Sequence, residues 1–293
     1  MGEYVLKQRT VTANGIHFHY LEMGEGPLAL CLHGFPDSAH AWRHLLPRLA
    51  AAGYRAVAPF MRGYAPTSVA ASGTYHAMDL GADACALHQA LGGDERAVLI
   101  GHDWGALTVY AAALITPGAW RRCVTMSVPP MQVYGGSGAM FAYPQIKRSF
   151  YFWFFQMKVA QSIVSANDMA FIDGLWADWS PGFDAPEDLK NVKACLAAPE
   201  NLEAAIGYYR SNIKPDEFGV VVDPIPPLTQ PLLYLHGEQD GCIAIDERVL
   251  AAVPSAAGAG SEARFVKGAG HFMLVEQPDL VNGQIIDFLQ RAI

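Results

Sequence analysis

Charge is sparse in this 293-residue sequence: Asp, Glu, Lys and Arg together make up 16% of it, and 20 basic residues face 28 acidic ones. With a formal net charge of −8 and no basic stripe, the chain has little with which to neutralise phosphates, so nucleic acid and anionic membrane are not expected partners. Cysteine is scarce as well. Cys31, Cys85, Cys123, Cys195 and Cys242 are odd in number and scattered, with no CxxC pair, which argues against a disulfide framework or a zinc site. A reducing, cytoplasmic setting is therefore expected. The amino terminus, MGEYVLKQRTVTANG, lacks the apolar stretch of a signal peptide, and Leu6 stands where a myristoylation motif needs Ser or Thr. The apolar stretch from Ala97 to Ile115 is interrupted by His102, Asp103 and two glycines, and fits a strand turning into a buried helix better than a membrane span.

What the sequence does have is apolar content, 52%, enough to bury a sizeable core. Residues 10–23 alternate around Asn14-Gly15, a strong hairpin signal. Short apolar runs follow at Leu28 to Leu32, Tyr54 to Ala58, Ala97 to Ile100 and Cys123 to Val128, separated by helix-compatible stretches. A later pair, Leu232 to Leu235 and Ala263 to Val266, resumes this rhythm, and a last helix is expected from Pro278 to Gln290. The pattern predicts an α/β fold with a mostly parallel central sheet flanked by helices. Between Pro129 and about Pro215 the strand rhythm stops and the sequence turns aromatic and helical, including the run from Phe150 to Phe155. We read residues 1–129 and 216–293 as two parts of one core, and 130–215 as an inserted helical cap whose aromatics mostly pack where cap meets sheet. The small-residue stretch Pro254 to Gly260 reads as a surface loop.

The chemistry concentrates at Gly101-His102-Asp103-Trp104-Gly105, between the run ending at Ile100 and a helix expected over Trp104 to Ile115. A sharp strand-turn-helix elbow lifts its central side chain above the sheet edge, and flanking glycines permit the close backbone packing it needs. Here the central residue is a carboxylate, so a nucleophilic attack would form an ester whose release needs an activated water. His271, in Gly268-Ala269-Gly270-His271-Phe272 after the last expected strand, is placed to be that base. Asp240, in Glu238-Gln239-Asp240-Gly241, is the orienting acid by its place after a late strand and before the histidine, with Glu238 and Asp246 as rivals. Backbone N–H groups of Trp104 and of Phe35, in His33-Gly34-Phe35-Pro36, are placed to form an oxyanion hole. His33 is expected to pack or orient that loop, and His102 to pack inside the elbow.

Taken together, HGFP at 33–36, GHDWGA at 101–106, GEQDG at 237–241 and GAGHF at 268–272 resemble the α/β-hydrolase superfamily. Within it they resemble the epoxide hydrolases and haloalkane dehalogenases that use Asp as nucleophile, over nearly the whole chain. The resemblance implies a triad of Asp103, His271 and Asp240, with no metal or organic cofactor. Epoxide hydrolases carry two cap tyrosines that hold and protonate the epoxide oxygen. Tyr151 is similar to the first; Tyr209 in Tyr208-Tyr209-Arg210 is similar to the second, with Tyr208 as its rival. The implied activity is conversion of an apolar or aromatic epoxide to a vicinal diol through a covalent ester on Asp103.

Two other readings stand beside it. A haloalkane dehalogenase would use the same triad and cradle halide with Trp104 and a second Trp or an Asn, but Phe35 occupies the position where many carry the Asn. Fluoroacetate dehalogenases resemble Trp153-Phe154-Phe155, but Phe152 and Ala106-Leu107 stand where they place a His and carboxylate-binding arginines, which argues against a small anionic substrate. A binding protein that keeps the fold without turnover is the remaining alternative. Trp153, Trp176 and Trp179, with Trp104 and Phe35, are expected to line a dry pocket for an apolar small molecule, in a monomer or homodimer.

Overall fold

The computed structural model describes residues 5–214 and 225–291. The chain opens with a hairpin, β1 (Lys7–Ala13) and β2 (Ile16–Met23), paired from Lys7 with Glu22 to Ala13 with Ile16. Its turn residues Asn14 and Gly15 both take positive φ, 47° and 72°, the twist that lets a two-residue loop join right-handed strands. Six further strands complete one sheet: β3 (Leu28–Leu32), β4 (Arg55–Pro59), β5 (Val98–His102), β6 (Arg122–Met126), β7 (Leu232–Gly237) and β8 (Glu262–Val266). Their order is β1-β2-β4-β3-β5-β6-β7-β8; β2 meets both neighbours antiparallel, and every pairing from β4 to β8 is parallel. Strands β3, β5, β6 and β7 are buried along their whole length, because helices cover both faces; this is why they read as continuous apolar runs rather than alternating ones. The edge strand β8 is only half-buried and carries Glu262 and Arg264.

Strand limits differ from the apolar runs where polar side chains find partners. Strand β5 extends through Gly101 and His102 because the buried His102 ring reaches Ser127 Oγ (3.2 Å) and the His271 carbonyl (2.9 Å). Strand β6 stops at Met126 because Ser127 turns to φ 66°. The helix Trp104–Ile115 follows β5 directly, and the closing helix spans Pro278–Gln290 with proline in its first turn, where a missing N–H costs nothing. No helix among the described residues is long and apolar enough to cross a membrane.

Between β6 and β7 the regular elements of the described residues are helical. The main ones are Tyr143–Arg148, Phe150–Phe154, Ala160–Trp179, Pro186–Leu196 and Pro199–Asn212. The expected boundary at 215/216 lies outside the described residues. Ala160–Trp179 is in fact two helices meeting at a kink, where Asn167, Asp168 and Met169 all take φ of 51–57°. This helical insertion rests on the loops at the carboxyl ends of the strands, the usual place for a ligand in an open parallel sheet. The Trp176 indole N–H donates to the Pro36 carbonyl (2.9 Å), the Tyr208 hydroxyl to the Arg62 carbonyl (2.8 Å), and Asn201 Nδ2 to the Gly63 carbonyl (2.8 Å). The loop after β4 is itself anchored by a buried pair, since Arg62 Nε and Nη2 donate to the two oxygens of Asp83 at 2.5 and 2.6 Å. Asn14 adds a third bond to that carboxylate, 2.8 Å long, and so ties the hairpin turn to the helix Ala77–Ala90.

Candidate active site

Asp103 sits at the elbow with φ 53° and ψ −119°, a conformation that a side chain adopts only where the surroundings enforce it. They do so through glycines. A methyl group on Gly105 would stand 1.9 Å from the Leu32 carbonyl oxygen, and one on Gly101 would stand 2.2 Å from that of Gly105. Gly34 gives the neighbouring loop the same closeness: a Cβ there would lie 2.3 Å from Asp103 Oδ1 and 2.6 Å from the Trp104 nitrogen. The Phe35 N–H donates to Asp103 Oδ1 at 2.7 Å. His33 holds this loop in place. Its Nε2 accepts from the Met61 N–H (3.0 Å), which assigns the proton to Nδ1, 3.0 Å from the Gly34 carbonyl; burial lowers its pKa to about 4, so it is neutral.

On the other side of the carboxylate, His271 Nε2 stands 3.7 Å from Asp103 Oδ2, an ion-pair distance too long for a hydrogen bond, and makes no hydrogen bond although buried. Its Nδ1 is 3.0 Å from Asp240 Oδ2. The second Asp240 oxygen accepts the N–H groups of Cys242 (2.7 Å) and Ile243 (2.9 Å), so the acid is fixed at both ends. Burial alone would lower the His271 pKa, but the Asp240 and Asp103 carboxylates raise it to about 10. Burial would likewise raise that of Asp240, yet His271 pulls it below the usual carboxylate range. The two carboxylates thus favour the charged form of the His271 ring. The rivals differ: Asp246 caps the helix Glu247–Ala252 from the surface, and Glu238 is exposed.

The insertion brings two tyrosines over this group. Tyr209 packs edge-on against Phe35 and Trp104, ring centroids 5.2 Å from each, and 5.4 Å from Tyr151. Its hydroxyl is buried without a hydrogen-bond partner, and its pKa is driven well up by burial and then by the Asp103 charge. Tyr208, by contrast, points away and spends its hydroxyl on the Arg62 carbonyl. Tyr151 Oη lies 3.3 Å from Cys242 Sγ. Trp179 borders the site, 5.0 Å from the His271 ring and 5.1 Å from Tyr151. Trp176 lies one layer back, stacked on Phe272 at 3.5 Å with its N–H committed to Pro36. Trp153 is half-buried and packs against the core.

Sequence reasoning missed the clamp on the histidine loop. The His271 N–H donates to the Trp179 carbonyl (3.0 Å), and its own carbonyl accepts from Ser127 Oγ (2.9 Å). Ser180 and Glu276 hold both flanks: Glu276 accepts from Ser180 Oγ (2.6 Å) and the Gly270 N–H (2.7 Å), and the Phe272 N–H reaches Ser180 Oγ (3.1 Å). None of these partners stands within the GAGHF motif except by backbone, so no local pattern announces them.

Compared with known proteins, residues 27–278 match the family described as alpha/beta hydrolase fold. The chain is also 31% identical to epoxide hydrolase 4 of Mus musculus, over 94% of this chain and 77% of that one. It is an epoxide hydrolase-like α/β hydrolase. An epoxide hydrolase of Caballeronia sordidicola is 29% identical to this α/β hydrolase, over 97% of this chain and 94% of the relative. Among solved structures, an epoxide hydrolase from an endophytic Streptomyces superposes with a TM-score of 0.79 at 28% identity, covering 97% and 95% of the two chains.

Proposed function

We propose that this α/β hydrolase opens apolar or aromatic epoxides to vicinal diols through an ester on Asp103. The observation that carries the reading is the pair of insertion tyrosines over the elbow, one with a buried hydroxyl that has no partner inside the protein. An opened epoxide leaves an alkoxide that must receive a proton, and this pair supplies acids for it, whereas a departing halide takes hydrogen bonds but no proton. The names of the relatives point the same way.

Asp103 attacks an epoxide carbon from the side opposite its oxygen; the C–O bond breaks, and Tyr209, with Tyr151, gives the oxygen a proton. Esterification removes one of the two negative charges that sustain the His271 imidazolium, so its acidity rises at the step where a base is next required. Its proton returns to the tyrosinate, and the neutral ring, held by Asp240, then takes a proton from water. The hydroxide attacks the ester carbonyl while the Phe35 and Trp104 N–H groups receive the oxyanion. On collapse the departing oxygen takes the hydroxyl proton of the tetrahedral centre. Diol leaves, and carboxylate and imidazolium are both restored.

Halide binding has weaker support, because the Trp176 N–H is committed to the Pro36 carbonyl and Phe35 offers no side-chain donor. The test is a panel of aryl and alkyl epoxides assayed for diol, run beside haloalkanes assayed for halide. Diol from epoxides supports the proposal, and halide release without epoxide turnover refutes it.

A further inference from the structure

The two insertion tyrosines are not equivalent. Tyr209 has no hydrogen-bond partner, whereas Tyr151 Oη stands 3.3 Å from the thiol of Cys242. Cys242 is fully buried and its main chain is pinned: its N–H donates to Asp240 Oδ1 (2.7 Å) and its carbonyl accepts from Gln145 Nε2 (3.0 Å). Its sulfur, an Asp240 oxygen and a His271 nitrogen all lie within 4.8 Å of one another, so the thiol stands between the acid of the triad and the tyrosine above it. Burial and the nearby carboxylates push the thiol's pKa well above its ordinary value, so at neutral pH it keeps its proton and can act as a donor.

We propose that Cys242 is a positioning residue for Tyr151: its S–H donates to the phenolic oxygen, which turns the phenol O–H toward the epoxide oxygen and stabilises the negative charge that Tyr151 shares with Tyr209 as the pair gives up its proton. The inference rests on the epoxide-opening reading above. No atom is exchanged with the thiol. It donates one hydrogen bond, which strengthens as charge develops on the phenol, and so it acts on ring opening and has no part in ester hydrolysis. A weak donor to a developing charge is worth about a three- to ten-fold change in rate.

The experiment combines Cys242→Ala and Cys242→Ser with Tyr151→Phe. Single-turnover kinetics separate ester formation from ester hydrolysis, and tyrosine labelled with 13C at Cζ reports the Tyr151 environment without substrate. Cys242→Ala is expected to slow ester formation about three- to ten-fold while leaving hydrolysis unchanged. Cys242→Ser, which keeps a donor, should recover most of the loss. In the Tyr151→Phe background the cysteine change should have no further effect, which a merely structural role would not produce. The Tyr151 Cζ resonance should shift in Cys242→Ala and the Tyr209 resonance should stay in place. Equal slowing in the Tyr151→Phe background, or equal slowing of hydrolysis, overturns the proposal. So does an unmoved Tyr151 resonance, whatever the turnover. Failure of the unmutated protein to open any epoxide would instead defeat the function reading and, with it, the catalytic role given to the thiol.

Discussion

Replacing Tyr208 and Tyr209 by Phe, one at a time, should separate structure from chemistry within a single turn of helix. Tyr208 donates to the Arg62 carbonyl at 2.8 Å and stacks on Tyr75. Losing its hydroxyl leaves a buried carbonyl short of a partner, at about 1 kcal/mol, which in a chain of this size lowers Tm by roughly 2–4 °C. Since the hydroxyl points away from Asp103, turnover should change little. Tyr209→Phe breaks no internal hydrogen bond, because its hydroxyl has none. Removing an unsatisfied buried hydroxyl should leave Tm unchanged or raise it slightly, while loss of the acid slows ring opening by roughly 10²–10⁴-fold. Thermal unfolding followed by fluorescence, beside a diol assay, reads both effects on each variant. Loss of turnover in Tyr208→Phe at unchanged Tm, or full activity in Tyr209→Phe, would refute this division of roles.

Four further expectations concern the charges. Asp240→Asn removes the carboxylate that orients His271, and should cut the ester-hydrolysis rate by roughly 10³–10⁴-fold while ester still accumulates; rapid-quench mass spectrometry would show it. Asp83→Ala strands the buried Arg62 guanidinium and should cost about 3–5 kcal/mol in urea unfolding, since Arg62 and Asp83 share a two-pronged bond in the interior. Because the folded His271 pKa is raised to about 10, its contribution to stability is complete below the ordinary histidine value and is lost as pH rises through about 10. Asp103→Asn takes away one supporting carboxylate, so NMR titration should find the His271 pKa moved down, and no movement would contradict the charge argument.

The elbow, the histidine loop and the acid were legible in the sequence because each is a short motif at the end of a strand, where a few glycines and one polar residue fix the geometry. Asp103, His271 and Asp240 accordingly lie side by side although 31 to 168 residues separate them. The insertion was harder. Tyr208 and Tyr209 are adjacent on one helix and differ only in direction, which depends on how that helix meets the loop after β4, itself set by the Arg62–Asp83 pair 21 residues apart. Trp176 and Trp179 looked alike in sequence, yet three positions along one helix turn Trp179 to the His271 ring and Trp176 to Phe272 and the Pro36 carbonyl. Cys242 read as one scattered thiol; its meaning comes from a tyrosine 91 residues away.

The most direct test of the account is to replace His271 with Gln, which keeps the volume but removes the base, and to incubate the variant with an aryl or alkyl epoxide. Mass spectrometry of the intact protein should show a stable addition equal to the whole mass of the epoxide, and peptide mapping should place it on Asp103. An unmodified protein, or an adduct on any other residue, would contradict the claim that the elbow carboxylate is the nucleophile.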